Sequence, residues 1–218
     1  MRINLMSRYP KTNREEFTSR SKYLTEQEIK ISKEFGKEYF DGDRKFGLGG
    51  YYYDPKFFTN VVEDFIKYYQ ISENDKILDV GCGKGFMLFD FIRLLPNISI
   101  AGIDISKYCY DNAISIVKPF ITIGSCDELP YEDNSFDFVF SIATIHNLEI
   151  NGIRKSLQEI MRVTRKGAFI KVNAYSNQSE LDRIKGWNIV ASDPLSCDQW
   201  FTLFHETGFK YDYDFFVP

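Results

Sequence analysis

Histidine and cysteine are scarce, with two and four copies among 218 residues. Cys82, Cys109, Cys126 and Cys197 form no CxxC pair and no Cys/His ligand spacing. No zinc site or other metal is therefore expected, and the thiols read as reduced cysteines of a cytoplasmic protein. No apolar run approaches the ~18 residues that span a bilayer, so no membrane segment is expected. The first residues are polar and lack the apolar stretch of a secretory signal. Positive charge is not in excess: Lys and Arg number 27 against 31 Asp and Glu, giving net −4 and a pI near 5.3. A protein that coats nucleic acid would be basic, so that class is disfavoured. Repeats, low-complexity tracts and interdomain linkers are also missing, which at this length points to one domain with at most a small appendage.

Aromatic residues are abundant, at 17% with 20 Phe and 14 Tyr. Charge is uneven: residues 1–22 carry Arg2, Arg8, Lys11, Arg14, Arg20 and Lys22 against Glu15 and Glu16, a local +4. This stretch reads as a solvated, partly ordered terminus, with an arm that touches a phosphate or an acidic partner as the alternative.

Along the chain, Thr25 and Glu28 form a capping-box signature that opens a helix over residues 25–40. Residues 41–55, rich in Gly and Tyr, read as a loop. Phe58, Val61, Val62, Phe65, Ile66 and Tyr69 recur at helical spacing behind Pro55, which predicts a helix over 55–70. From residue 76 short apolar runs alternate with helical segments. Strands are predicted at 76–81, 98–104, 120–124, 135–143, 167–174 and 209–217. Helices are predicted at 85–95, 106–117, 151–164, 177–185 and 196–207. This alternation argues for a mostly parallel sheet covered on both faces.

The strongest local signal is Ile77-Leu78-Asp79-Val80-Gly81-Cys82-Gly83-Lys84-Gly85, a buried strand running through three alternate glycines into a helix. Glycines let backbone approach a ligand without a Cβ clash. A dinucleotide fingerprint would need glycine at position 86, which is Phe86, and a P-loop would need Ser or Thr after Gly83-Lys84. Asp79 would repel a pyrophosphate but suits a cation such as an amine or a sulfonium.

These residues resemble motif I of the class I S-adenosylmethionine-dependent methyltransferases, and the likeness continues over roughly residues 57–217. Asp104 ends the second strand, Gly124-Ser125-Cys126-Asp127-Glu128-Leu129-Pro130 follows the third, and Ser135-Phe136-Asp137-Phe138-Val139-Phe140-Ser141 forms the fourth. Arg162-Val163-Thr164-Arg165-Lys166-Gly167 stands where the family usually turns through Pro-Gly-Gly.

The resemblance implies a Rossmann-like three-layer α/β sandwich. Its mostly parallel seven-stranded sheet would carry an antiparallel edge strand and an N-terminal helical lid. Residues 1–56 would form the arm, helix and lid loop, and residues 57–218 the methyltransferase domain. It also implies S-adenosyl-L-methionine as cofactor, leaving S-adenosyl-L-homocysteine, with contacts from Asp79, Gly81, Cys82, Gly83, Gly85, Asp104, Ile105, Cys126, Asp127, Glu128 and Ser141. A carboxylate such as Asp104 suits the two ribose hydroxyls because it offers two acceptor oxygens. Asp137 reads instead as a structural residue of its strand.

Methyl transfer needs the nucleophile held in line with the S–CH3 bond and a base only for a hydroxyl or a protonated amine. His146, just after the fourth strand, is the candidate base or substrate-orienting group, with Asn147 beside it. Tyr51 and Tyr53 of the lid loop are the candidate site-facing aromatics. Trp187, Trp200 and His205 read as core or surface residues. The expected substrate is a small molecule bearing a hydroxyl or an amine, such as a sugar or secondary metabolite, acted on by a monomer or homodimer. The alternatives are an RNA methyltransferase using the basic arm, another enzyme class on the same fold, or a non-catalytic cofactor-binding partner subunit.

Overall fold

A computed structural model describes residues 1–10 and 19–218. Its six strands are β1 (Lys76–Val80), β2 (Ser99–Asp104), β3 (Ile121–Ile123), β4 (Phe136–Ile142), β5 (Thr164–Asn173) and β6 (Asp212–Phe216). They form one sheet in the order β3-β2-β1-β4-β5-β6, every pair parallel. The expectation of seven strands with an antiparallel edge is corrected here. Two helices, α7 (Gln178–Trp187) and α8 (Cys197–Thr207), lie between β5 and β6. A helical crossover of this kind returns the chain in the same direction, and among the described residues no further strand joins the sheet to form an antiparallel hairpin.

The helices α3 (Pro55–Tyr69) and α4 (Phe86–Leu94) cover one face, where Val61, Val62, Phe65 and Phe91 pack on Ile77, Phe138, Phe140 and Phe169. The Phe65 ring lies 5.5, 5.7 and 5.2 Å from those of Phe138, Phe140 and Phe169. Much of the phenylalanine excess is spent in this way, each such buried ring contributing roughly 2–3 kcal/mol. The helices α6 (Ile150–Val163) and α8 cover the other face over Leu78, Val80, Val139, Ile170 and Val172. Strand side chains alternate between faces, so Ile77 and Asp79 belong to the α3–α4 side.

Several boundaries differ from the periodicity. The capping box of Thr25 and Glu28 is present, but the helix predicted over 25–40 divides into α1 (Glu26–Lys33) and α2 (Lys37–Asp41). Phe35 adopts a positive φ of 48° between them. The helix predicted over 106–117 shrinks to α5 (Lys107–Asp111). The N-terminus is not a solvated arm over the described residues. Ile3 N–H donates to the Tyr213 carbonyl beside β6, and Leu5 and Met6 are buried. Lys11, Arg14, Glu15 and Glu16 lie outside the described residues.

Strands β1–β3 run outward one way and β4–β6 the other, so the chain switches direction between β1 and β4. In open parallel sheets ligands bind at that switch, beyond the carboxyl ends of the strands.

Candidate functional site

A cavity of about 1060 Å³ opens at that switch, at the upper end of the roughly 300–1,000 Å³ of small-molecule pockets. Its near side is the loop after β1. Gly81, Gly83 and Gly85 all take positive φ, at 88°, 54° and 78°. A Cβ on Gly81 would lie 2.0 Å from Thr144 Oγ1, and one on Gly83 would lie 2.9 Å from the Tyr51 ring and hydroxyl. Glycine at both positions therefore lets the β1 and β4 loops and the lid close on one another.

The loop is fixed from β2. The Gly81 and Cys82 amides donate to the Ile103 carbonyl, at 2.8 and 3.1 Å. Asp104 receives the Gly83 amide on Oδ2 at 2.7 Å and the Ser106 amide on Oδ1 at 2.8 Å. Burial raises the Asp104 carboxyl above the usual carboxylate range, against the two amides that lower it. Asp79 is buried and accepts no hydrogen bond among the described residues. Burial, with the Asp104 charge added, holds it well above the usual range. An unpartnered buried acid is costly, and a cation beside it removes the cost. A half-buried carboxylate with two acceptor oxygens on the cavity wall, a buried acid behind it and a glycine cradle fit an amino-acid-bearing sulfonium nucleoside.

Residues 35–51, the expected lid, border the near side. Phe35, Tyr39, Phe40, Leu48 and Tyr51 line the cavity. Lys84 Nζ lies 2.6 Å from Asp41 Oδ2 and donates to the Tyr51 carbonyl at 2.8 Å. Tyr108 donates its hydroxyl to the same Asp41 oxygen, and the Tyr51 amide donates to Asp41 Oδ1. Burial opposes ionisation of Asp41, but Lys84, Tyr108 and Tyr51 outweigh it and hold the carboxyl below its ordinary range. The pair is almost closed to solvent, at 6% and 10% exposure.

The far side begins at Ala143, Thr144, His146 and Asn147 after β4. His146 is buried, and burial lowers its imidazole to about 3. Its Nδ1 accepts the Asn173 amide at 3.2 Å, so in the neutral ring the proton sits on Nε2. Asn188 donates to the Oδ1 atoms of Asn147 and Asn173, at 3.0 and 3.3 Å.

The sequence-derived candidates divide. Gly81, Gly83, Asp104, Ile105, Cys126, Tyr51, His146 and Asn147 lie on the cavity wall. Asp79 stands buried beside Asp104. Cys82 packs beneath the loop, its Sγ against the position where a Gly102 Cβ would be. Gly85 faces Val117, and Ser141 donates to the Val80 carbonyl inside the sheet. Asp127 is half-buried and accepts from Ser125 Oγ, and Glu128 is exposed off the wall. Tyr53 does not join Tyr51. Its hydroxyl donates to Asp90 Oδ1 at 2.5 Å and accepts from Arg93, so it clamps the lid to α4 instead. Trp200 is core, its indole N–H on the Asn173 carbonyl, while Trp187 reaches the cavity and His205 is exposed on α8. Asp137 accepts the Lys76 amide and pairs with Arg165.

Sequence reasoning missed Lys171, Asn173, Arg183 and Asn188. Lys171, the one charged residue in the strand predicted over 167–174, was a readable signal. Asn173 at the strand's end was a weaker one, and Arg183 and Asn188 gave none.

Among the described residues no group of side chains could hold a metal ion, and no helix is long and apolar enough to cross a membrane.

Residues 78–172 match the family described as "Methyltransferase domain". A tRNA (carboxymethyluridine(34)-5-O)-methyltransferase of Arabidopsis thaliana is 30% identical over 109 residues, covering 48% of this chain and 25% of that one. A demethylmenaquinone methyltransferase of Symbiobacterium thermophilum is 31% identical over 149 residues, covering 64% and 58%. The chain thus spans between a quarter and three-fifths of these relatives. Among solved structures, the YcgJ protein of Bacillus subtilis superposes with TM-score 0.54 at 20% identity, covering 67% of this chain and 66% of that one, a likeness of fold.

Proposed function

We propose, from the premise that this chain belongs to the class I S-adenosylmethionine-dependent methyltransferases, that it methylates a hydroxyl or an amine of a small molecule. The observation that carries this is the single cavity with two unlike sides. Gly81, Gly83 and Asp104, with Asp79 buried behind them, stand on one side, and the wall that begins at His146 and Asn147 stands on the other.

Asp104 would hold the ribose hydroxyls, Asp79 the cationic amino-acid end, Gly81 and Gly83 the approach of the backbone, and the Gly124–Cys126 segment the adenine edge. The bound cofactor supplies an electrophilic methyl group on sulfur. What remains for the protein is positioning and exclusion of water, which supply most of the acceleration in such a transfer. Tyr51 and the lid cover the cavity, and His146 and Asn147 orient the acceptor.

For His146 the arrangement favours the orienting role over the base. A buried imidazole whose Nδ1 already accepts an amide proton offers Nε2–H as a donor, and it stays neutral over the physiological range. A hydroxyl accepting that donor would lose its own proton to another acceptor, such as water at the cavity mouth.

The RNA alternative loses ground at the basic arm. Arg8 is bonded to Asp64 and Glu63, Arg20 to the carbonyls of Arg44, Gly47 and Trp187, and Arg2 lies 3.8 Å from Asp214. These charges serve the fold rather than a free phosphate-binding surface.

The test is mass spectrometry of reactions containing S-adenosylmethionine and a panel of phenols, sugars, hydroxy acids and amines. Equal amounts of methylated product and S-adenosylhomocysteine are expected with at least one acceptor. Cofactor binding without turnover across the panel would leave the binding-subunit alternative in its place.

A further inference from the structure

The chamber beyond His146 is walled by β5, α7 and the residues after β6, and its charge is lopsided. Among the described residues the only acidic side chain on the cavity wall is Asp104, on the cofactor side. The far wall carries two bases, Lys171 and Arg183. Lys171 Nζ lies 2.5 Å from Asp214 Oδ2, but the same carboxylate also faces Arg2 at 3.8 Å, so one acid serves two bases. Arg183 is exposed at the rim and has no hydrogen-bond or ion-pair partner among the described residues. The whole chain is net −4, so this local excess of positive charge runs against the composition.

Shape reinforces charge. Trp187 follows Arg183 by one turn of α7, on the same face, and lines the same wall. Its ring lies 5.6 Å from that of Phe216, nearly edge to face. The far wall therefore offers a flat aromatic corner and, one helical turn away, a guanidinium with its donors uncommitted. A protonated amine entering this chamber would meet like charge at Arg183.

We propose that the acceptor is a small molecule with a flat apolar body and an anionic group. Arg183 pairs with the anion, and the Trp187–Phe216 corner holds the body. This deepens the methyltransferase reading and rests on it. Carboxylate, sulfonate and phosphate share the required chemistry.

Two fluorescent probes with the same ring system separate charge from shape: anilinonaphthalene sulfonate, which is anionic, and N-phenylnaphthylamine, which is neutral. Both are titrated into protein saturated with S-adenosylhomocysteine, as wild type and as Arg183→Gln. The anionic probe is expected to fill one saturable site, and Arg183→Gln to weaken it about ten-fold or more, the size of one charge-assisted hydrogen bond. The neutral probe is expected to bind both proteins alike. Benzoate and phenyl phosphate, as competitors, then distinguish carboxylate from phosphate recognition.

The proposal is overturned if the sulfonate does not saturate, if Arg183→Gln binds it as tightly as wild type, if the neutral probe weakens equally, or if neither competitor displaces it. Calorimetry with S-adenosylhomocysteine alone reports on the underlying reading separately. Heat of binding there, with no effect of Arg183→Gln on the sulfonate, sinks this inference and leaves the methyltransferase assignment standing.

Discussion

His146 shows how burial decides what a side chain can do. In the unfolded chain its imidazole titrates near 6.5, and in the folded protein near 3. As pH falls below 6.5 the unfolded state takes up a proton that the folded state refuses until about 3. The contribution of His146 is therefore fully present above 6.5 and is lost toward acid, by about 1.4 kcal/mol per pH unit. Urea denaturation should show wild type losing about 2 kcal/mol more than His146→Gln between pH 6.5 and 5. Equal losses would mean that the ring is open to solvent. The position of His146 at the end of the fourth strand was legible in the sequence, because the loop after that strand must border the switch. Its tautomer was not, because that depends on the Asn173 amide 27 residues away. Asp79 and Asp104 were legible as acids at strand ends for the same topological reason. Tyr53 was not separable from Tyr51, since only the fold brings Asp90 and Arg93 to one and Gly83 to the other.

Elements with strong periodicity, α3, α4, α6 and α8, appear within one or two residues of where the pattern puts them, because each has one apolar face and a sheet to cover. The helix predicted over 106–117 fails after Asp111, where the Asn112 amide closes on the Tyr108 and Tyr110 carbonyls. The seventh strand failed for another reason: it was implied by resemblance, with no run of residues to form it. The lid is the element whose attachment no periodicity reports. It is held to the glycine loop by the enclosed Lys84–Asp41 pair, with Lys84 Nζ also 5.8, 5.4 and 5.6 Å from the ring centres of Tyr51, Tyr52 and Tyr108. Removing one partner strands the other charge, so Lys84→Met should cost about 3–5 kcal/mol of stability. It should also speed proteolysis within residues 41–54. Replacing both partners with apolar residues should recover much of the stability. A single variant as stable as wild type, with unchanged cleavage, would show that the pair does not hold the lid.

Taken as a whole, the fold turns sequence order into a site. Because all six strands are parallel, every strand-to-helix loop leaves the same edge of the sheet. The switch between β1 and β4 parts those loops into a cavity with Asp104 on one flank and Lys171 and Arg183 on the other. The central claim is that the acid flank holds a sulfonium nucleoside through Asp79 and Asp104. Isothermal titration calorimetry with S-adenosylhomocysteine tests it most directly. One binding site per chain is predicted for the wild type, with Asp104→Ala weakening it about 100-fold through loss of two hydrogen bonds to a charged acceptor. Well-folded wild-type protein that gives no heat, or an Asp104→Ala variant that binds as tightly, would contradict it.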